Sequence, residues 1–307
     1  MRKRSWFSGV ITLAALAAIF LLLPHLYSNQ SLLFMMMTFI ALAQGLNLLY
    51  GFTGYLPFGY VGFFGTGAYG MSLLVLHMHL PAALAVLGGG AAAVLVALIV
   101  SPLLRLSGAY FSIANLAASQ ILYFIVANPA LSGITGGPYG LNLQQVFDPT
   151  ASYVAMLLVV LLVCAIAIFF RRSDFGLGLR AMTQDFVSAQ MAGINIVRSR
   201  LIVWLVSAAI AGLAGGCYAW NISVYYPEAV FSLQTSVFAI VFALFGGVGT
   251  VTGPILGAIV LYALYNVIGV SVPQYFELLY GFLIVVLTLF LPDGVLSLIK
   301  RRRISVL

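Results

Sequence analysis

The chain is dominated by long apolar runs separated by short breaks that contain glycine, proline or polar residues. A helix needs about 20 apolar residues to cross a bilayer. The pattern predicts ten spans, at 7–27, 31–50, 58–78, 82–100, 108–127, 151–170, 201–221, 233–246, 253–271 and 276–291. The run at 233–246 is short, so an eight-span variant in which 233–271 forms re-entrant hairpins also fits the pattern.

Composition explains why these runs are membrane spans. Of the 307 residues, 63% are hydrophobic and only 6% are charged, whereas soluble domains carry about 25% charged residues. Only helices and closed barrels satisfy the backbone in lipid. We therefore predict an all-α polytopic membrane protein with one membrane domain, 1–307. Its first run, Phe7 to Leu23, follows a basic start as in a signal peptide, but no small-residue cleavage site follows, which favours an uncleaved span.

Charged residues predict the orientation, because basic residues in short loops stay in the cytoplasm. With ten crossings and both termini cytoplasmic, all 13 lysines and arginines lie inside. The outer side then holds the acidic residues Asp148, Glu228 and Glu277. The net charge of +7 indicates contact with anionic lipid headgroups in the bilayer, because the basic clusters carry no interleaved aromatics of the kind that nucleic-acid surfaces use.

The predicted spans lack the groups that several chemistries need. No Asp, Glu, Lys or Arg lies deep in a span, which argues against proton coupling. No catalytic arrangement and no phosphate-binding glycine-rich loop with lysine is visible, so we expect neither an enzyme nor an ATP site, and no cofactor. The three histidines fall near the outer face and the two cysteines in apolar runs, so no metal site is expected. These five residues are His25, His77, His79, Cys164 and Cys217.

Small and uncharged polar residues occur within the spans. Glycines at near-helical spacing, such as Gly62, Gly65 and Gly212, predict close helix packing. Uncharged polar side chains in lipid turn inward, where they either bond neighbouring helices or line a polar pathway. Both roles stay open for the pathway candidates, which are Gln44, Asn47, Thr66, Asn115, Gln120, Asn221 and Gln234.

The segment 171–200 is the longest predicted cytoplasmic loop. Within it, Asp185 is placed to cap a short helix, Phe186 to Ala192, and Gly193 suits the position after the helix. Ala189 and Ala192 lie three apart, which would leave room for a partner surface. Such a short helix needs something to pack against. Either it lies on the bilayer surface, or it docks a cytoplasmic protein that supplies energy.

Several ordered motifs in this sequence resemble LivM-type permeases, the family of high-affinity branched-chain amino acid ABC importers. The segment 172–181 followed by 192–195 resembles the family's cytoplasmic coupling loop. The other motifs are LNLLYGFTG at 46–54, FFGTGAY at 63–69, SGAYF at 107–111, TGGPYGL at 135–141, FGGVGT at 245–250 and LPDG at 291–294.

The resemblance implies a type II importer-like bundle of about ten transmembrane helices in a bacterial inner membrane. It also implies a homologous second permease subunit, two cytoplasmic ATPase subunits and a periplasmic substrate-binding protein. Asp185, Phe186, Ala189, Ala192 and Gly193 would then form the ATPase-coupling helix. The expected function is import of branched-chain or other apolar amino acids. The alternatives are a permease for urea or short amides, and a self-sufficient channel for a small neutral solute; a membrane-embedded enzyme fits least well.

Overall fold

The computed structural model describes residues 2–26 and 29–271, together with positions 278, 281, 282 and 285. Nearly all of it is helical. The helices are α1 (Arg2–Leu26), α2 (Gln30–Thr53), α3 (Val61–Met78), α4 (Ala82–Ile99), α5 (Gly108–Val126), α6 (Ser132–Thr135), α7 (Pro149–Arg172), α8 (Asp174–Gln184), α9 (Phe186–Met191), α10 (Ile196–Ile222), α11 (Pro227–Val230), α12 (Leu233–Gly246) and α13 (Thr252–Ser271). Two short strands, β1 (Leu141–Asn142) and β2 (Val224–Tyr225), pair antiparallel.

Within the described residues, eight helical segments are long and apolar enough to cross a membrane. They are α2, α3, α4, α5, α7, α10, the α11–α12 segment Pro227–Gly246 and α13, and each coincides with a predicted span. Helix α1 carries a shorter apolar stretch, Ile11–His25. The predicted all-helical polytopic class is confirmed. The span predicted at 276–291 lies outside the described residues apart from four positions, so the total of ten stays a prediction.

The centre of the bundle is the packing of α3, α4 and α10, where glycines replace side chains at the contacts. A methyl group at Gly67 would overlap the backbone of Gly212, and one at Gly215 would overlap the carbonyl of Phe64. A methyl group at Gly89 would likewise meet the carbonyl of Gly67. The predicted close packing through small residues is confirmed at these positions.

We expect Gly67→Ala to destabilise the protein, because the added methyl group forces two helix backbones apart. Overpacking of this kind costs about 1–3 kcal/mol. The matched control is Gly133→Ala in α6, since nothing lies within 4 Å of a methyl group placed there. Thermal unfolding of the purified chain in detergent measures both. Equal midpoints for the two variants would contradict close packing at Gly67.

The two ends of the bundle differ in charge, as the sequence predicts. At one end, Arg200 stacks over the ring of Tyr55 at 4.6 Å and the Arg180 guanidinium donates to the Arg171 carbonyl. At the other end, Asp148 caps α7 by accepting two backbone N–H groups. The segment that contains α8 and α9 therefore holds most of the arginines of the described loops, together with two aspartates. It lies opposite the end marked by Asp148, which we call the acidic end.

The acidic end is closed by backbone pairing between distant segments. Leu141 pairs with Tyr225 and Asn142 with Val224 in the two-stranded sheet. The Trp220 indole donates to the Val146 carbonyl at 2.9 Å. These contacts tie the connection between α5 and α7 to the end of α10 and fix where the chain enters α11.

Candidate functional site

Helix α8 is anchored to the membrane bundle and supports α9. Its first turn is capped by the Ser173 hydroxyl, which accepts the Gly176 N–H at 3.1 Å. Gly176 lies so close to the Phe170 carbonyl of α7 that a methyl group there would overlap it. Leu179 and Met182 are buried on the inner face of α8. These contacts fix α8 against α7, and α8 also packs on α2.

The short helix predicted in this loop is present as α9. Asp185 immediately precedes it in extended conformation, as a capping position requires. The helix ends on Gly193, which has a φ of 84°. The Ile194 N–H donates to the Ala189 carbonyl at 3.2 Å and the Gly193 N–H to the Gln190 carbonyl at 3.0 Å. This bond pair is the Schellman motif, so the predicted role of Gly193 as a terminating glycine is confirmed.

One expectation about α9 is wrong. Ala189 is only 3% exposed, because α9 packs back onto α8, so it cannot leave room for a partner. Ala192 and Gly193 are exposed, and Met191 is 85% exposed. We call these three residues, Met191, Ala192 and Gly193, the exposed tip of α9. The side chain of Phe186 lies outside the described residues.

Gln44 and Asn47 hold the loop between α12 and α13, which comprises residues 247–251. The Gln44 amide donates to the Val251 carbonyl, and the Asn47 amide donates to the Thr250 carbonyl at 2.8 Å and to Gln44 Oε1 at 3.0 Å. Asn47 Oδ1 accepts the Gly249 N–H at 2.7 Å. Both side chains are fully buried. We call this arrangement the polar clamp. Through it, both residues join α2 to the loop between α12 and α13 by hydrogen bonds.

Three further pathway candidates also bond inside the bundle. Asn115 accepts the Gly59 N–H at 2.8 Å and so joins α5 to the segment before α3. Asn221 donates to the Ser152 hydroxyl at 2.9 Å, joining α10 to α7. Thr66 bonds the Gly62 carbonyl of its own helix. Gln120 is half-buried on α5.

The remaining pathway candidate, Gln234, lines a cavity of about 490 Å³ at the acidic end of the bundle. Helices α2, α10, α12 and α13 surround it, and α11 lies at its edge. One stretch of chain contributes polar side chains to the lining; they are Glu228, Ser232, Gln234 and Thr235. Aromatic rings cover much of the rest; they are Phe39, Tyr218, Tyr226, Phe238, Tyr262 and Tyr265. We call this space the aromatic cavity.

The aromatic rings pack on one another across helices. Phe39 lies 5.9 Å from Phe238 and 5.2 Å from Tyr262 between ring centroids. Tyr265 meets Phe238 edge-on at 5.0 Å and stacks on Tyr262 at 5.7 Å. Sequence reasoning missed this cluster because its members come from α2, α12 and α13, and aromatic residues in a span also occur as ordinary core or lipid-facing positions.

A buried tyrosine joins α3 to the chain just before the polar lining residues of the aromatic cavity. The Tyr225 hydroxyl lies 2.7 Å from the Ser72 hydroxyl and donates to the Ala68 carbonyl at 3.1 Å. Burial raises the pKa of Tyr225, so the hydroxyl keeps its proton. Tyr225 thereby fixes the start of the segment that carries Glu228, whose carboxylate accepts the Tyr123 hydroxyl at 3.5 Å. Glu228 is the only charged residue among the described residues that line the cavity.

Within its described residues, the chain is therefore a polytopic helical bundle with an aromatic cavity at one end and an anchored helix pair at the other. The family model described as "Branched-chain amino acid transport system / permease component" matches residues 28–288. The chain belongs to this family, whose members are transport permeases.

Individual relatives agree with this membership. The permease LivM of Salmonella typhimurium, described as part of a high-affinity branched-chain amino acid transport system, is 28% identical over 94% of this chain and 75% of that protein. LivM of Escherichia coli K12 is 28% identical over 86% of this chain and 69% of that protein. A probable branched-chain amino acid permease, LivH of Methanocaldococcus jannaschii, is 26% identical over 72% of this chain and 74% of that protein. No solved structure matches the chain significantly.

Proposed function

We propose that this chain is the permease subunit of an ATP-binding cassette importer that moves branched-chain or other apolar amino acids across a bacterial inner membrane. The single observation that carries the proposal is the family match over 28–288, most of the described chain. The anchored α8–α9 pair supports it, since a permease driven from outside the membrane needs a rigid contact for its motor.

The proposed assembly contains a homologous second permease subunit, two cytoplasmic ATPase subunits and a periplasmic substrate-binding protein. The match to both LivM and LivH relatives supports a pair of related permease chains. In this assembly, the exposed tip of α9 contacts an ATPase subunit. Asp185 and Gly193 set the two ends of that helix, and Ala189 attaches it to α8.

The energy source is the part of this proposal that is most directly testable. The full assembly is reconstituted in proteoliposomes together with the binding protein, and uptake of radiolabelled leucine is measured with and without ATP on the ATPase side. We expect uptake to require ATP and to continue when an uncoupler collapses the proton gradient, because the sequence places no Asp, Glu, Lys or Arg deep in a span.

Two outcomes contradict the proposal. Loss of uptake on adding the uncoupler, with ATP intact, would show coupling to protons. Leucine or urea uptake by this chain reconstituted alone, without any ATPase, would favour the self-sufficient channel. Uptake of urea or a short amide in place of leucine by the full, ATP-driven assembly would keep the class of transporter and change the substrate.

A further inference from the structure

We propose that the aromatic cavity is a binding site for the zwitterionic form of an amino acid, with Glu228 contacting the substrate's ammonium group. This inference rests on the proposed function, because it concerns the substrate of the same permease. It adds a site and a basis for selection within the membrane subunit itself.

Size and shape come first. The cavity volume of about 490 Å³ falls within the range of small-molecule sites, about 300–1,000 Å³. Such sites are mostly apolar with a few polar groups that fix orientation. The aromatic cavity has this character, since six of its twelve described lining residues are aromatic and its charged or amide and hydroxyl groups include those of residues 228, 232, 234 and 235.

One residue of the cavity has a charge opposite to that of the substrate's ammonium group. Glu228 is the only charged residue among the described lining residues. It is exposed, and its carboxylate accepts the Tyr123 hydroxyl, so its attraction for a cation grows as a bound substrate displaces water around it. Tyr226, Tyr262 and Tyr265 also line the cavity. Aromatic faces attract cations, by about 0.5–1 kcal/mol at exposed sites and more when desolvated. Carboxylate and rings together therefore favour a positively charged group.

The aliphatic side chain of the substrate fits the apolar part of the cavity lining. Met35, Phe39 and Phe238 supply apolar lining of the cavity. Phe39 and Phe238 are fixed against each other with ring centroids 5.9 Å apart, and each is less than 9% exposed. Burying each methylene of a substrate against such a surface contributes about 0.8 kcal/mol. A branched or linear aliphatic side chain suits this apolar lining.

The uncharged hydrogen-bond donors of the cavity are suited to the substrate carboxylate. Ser232, Gln234 and Thr235 carry uncharged hydroxyl and amide donors and line the cavity at the first turn of α12. Negative groups are stabilised near a helix N-terminus. The three parts of an aliphatic amino acid therefore each meet a suitable surface, whereas urea and simple amides have no cation for Glu228.

The test is equilibrium binding of radiolabelled leucine to the permease–ATPase assembly in nanodiscs, without the binding protein, so that only the membrane site is measured. Isocaproamide competes as a neutral compound with the same aliphatic side chain. In the wild type we expect saturable leucine binding that is at least about tenfold tighter than amide binding, which corresponds to about 1.4 kcal/mol. In Glu228→Gln, which keeps the side-chain shape, we expect leucine affinity to fall by about tenfold and the preference for leucine over the amide to narrow by the same factor.

Asp148→Asn is the matched control, since it neutralises another acid at the same end whose role is to cap α7, and asparagine caps equally well. Unchanged leucine affinity in Glu228→Gln, or equal wild-type affinity for leucine and isocaproamide, would overturn the inference. If Glu228→Gln yields no folded assembly, the wild-type comparison decides alone. ATP-driven leucine uptake by the wild type, measured separately with the binding protein, shows whether the proposed function survives when the inference fails.

Discussion

Met191→Glu is expected to abolish ATP-driven uptake while the permease remains folded in the membrane. Met191 is 85% exposed at the exposed tip of α9, so the substitution removes no contact within the chain. If this tip is buried under an ATPase subunit, the new carboxylate is buried without a partner, which costs several kcal/mol. A loss of that size lowers ATPase affinity by about a hundredfold or more. Co-purification of the ATPase with the permease, at equal permease levels, measures the effect.

The control for this experiment is Met78→Glu. Met78 ends α3 at the acidic end of the bundle and is 67% exposed, so the same side chain is exchanged at the end opposite α9. ATPase recovery should match the wild type. Full recovery with Met191→Glu as well would remove α9 as the coupling element, and a helix resting on lipid headgroups would then explain the segment better.

The sequence predicted the membrane helices and the ends of α9 because each depends on local information. Apolar runs of sufficient length must be helical in lipid, and the left-handed position at Gly193 follows from glycine chemistry. The burial of Ala189 was not predictable in this way. Three-residue spacing shows which positions share a helical face, but which face meets α8 depends on how two short helices fold back on each other.

The aromatic cavity and the polar clamp show the same division at longer range. Sequence identified Gln44, Asn47 and Gln234 as polar residues in lipid, without distinguishing bonding from lining. That distinction depends on partners about 200 residues away, since Asn47 bonds Gly249 and Thr250. In the structure, Gln44 and Asn47 form hydrogen bonds to other parts of the chain, whereas Gln234 lines the aromatic cavity. No local signal separates these outcomes.

Replacing Asn47 with leucine is expected to destabilise the bundle severely. Asn47 is fully buried, and its side chain makes three hydrogen bonds, to Gln44, Thr250 and Gly249. Because leucine has a similar volume and an apolar side chain, the change in unfolding free energy reports mainly the lost hydrogen bonds. The buried Gln44 side-chain oxygen and the half-buried Gly249 N–H and Thr250 carbonyl each lose a partner. An unpaired polar group costs about 1–3 kcal/mol when it is cut off from water.

The comparison that isolates the polar clamp is Thr66→Val, which removes one hydroxyl bond within a single helix. Interhelical bonds measured in membrane proteins average about 0.6 kcal/mol, because the unfolded chain in lipid finds other partners. The expected loss of unfolding free energy for Asn47→Leu is therefore about 2–4 kcal/mol. It is well above that average because backbone groups of the loop at 247–251 are left without hydrogen-bond partners. Thr66→Val should cost less than about 1 kcal/mol.

Unfolding free energies in mixed micelles measure both variants. A loss for Asn47→Leu that is no greater than for Thr66→Val would show that the loop at 247–251 holds its position without the polar clamp.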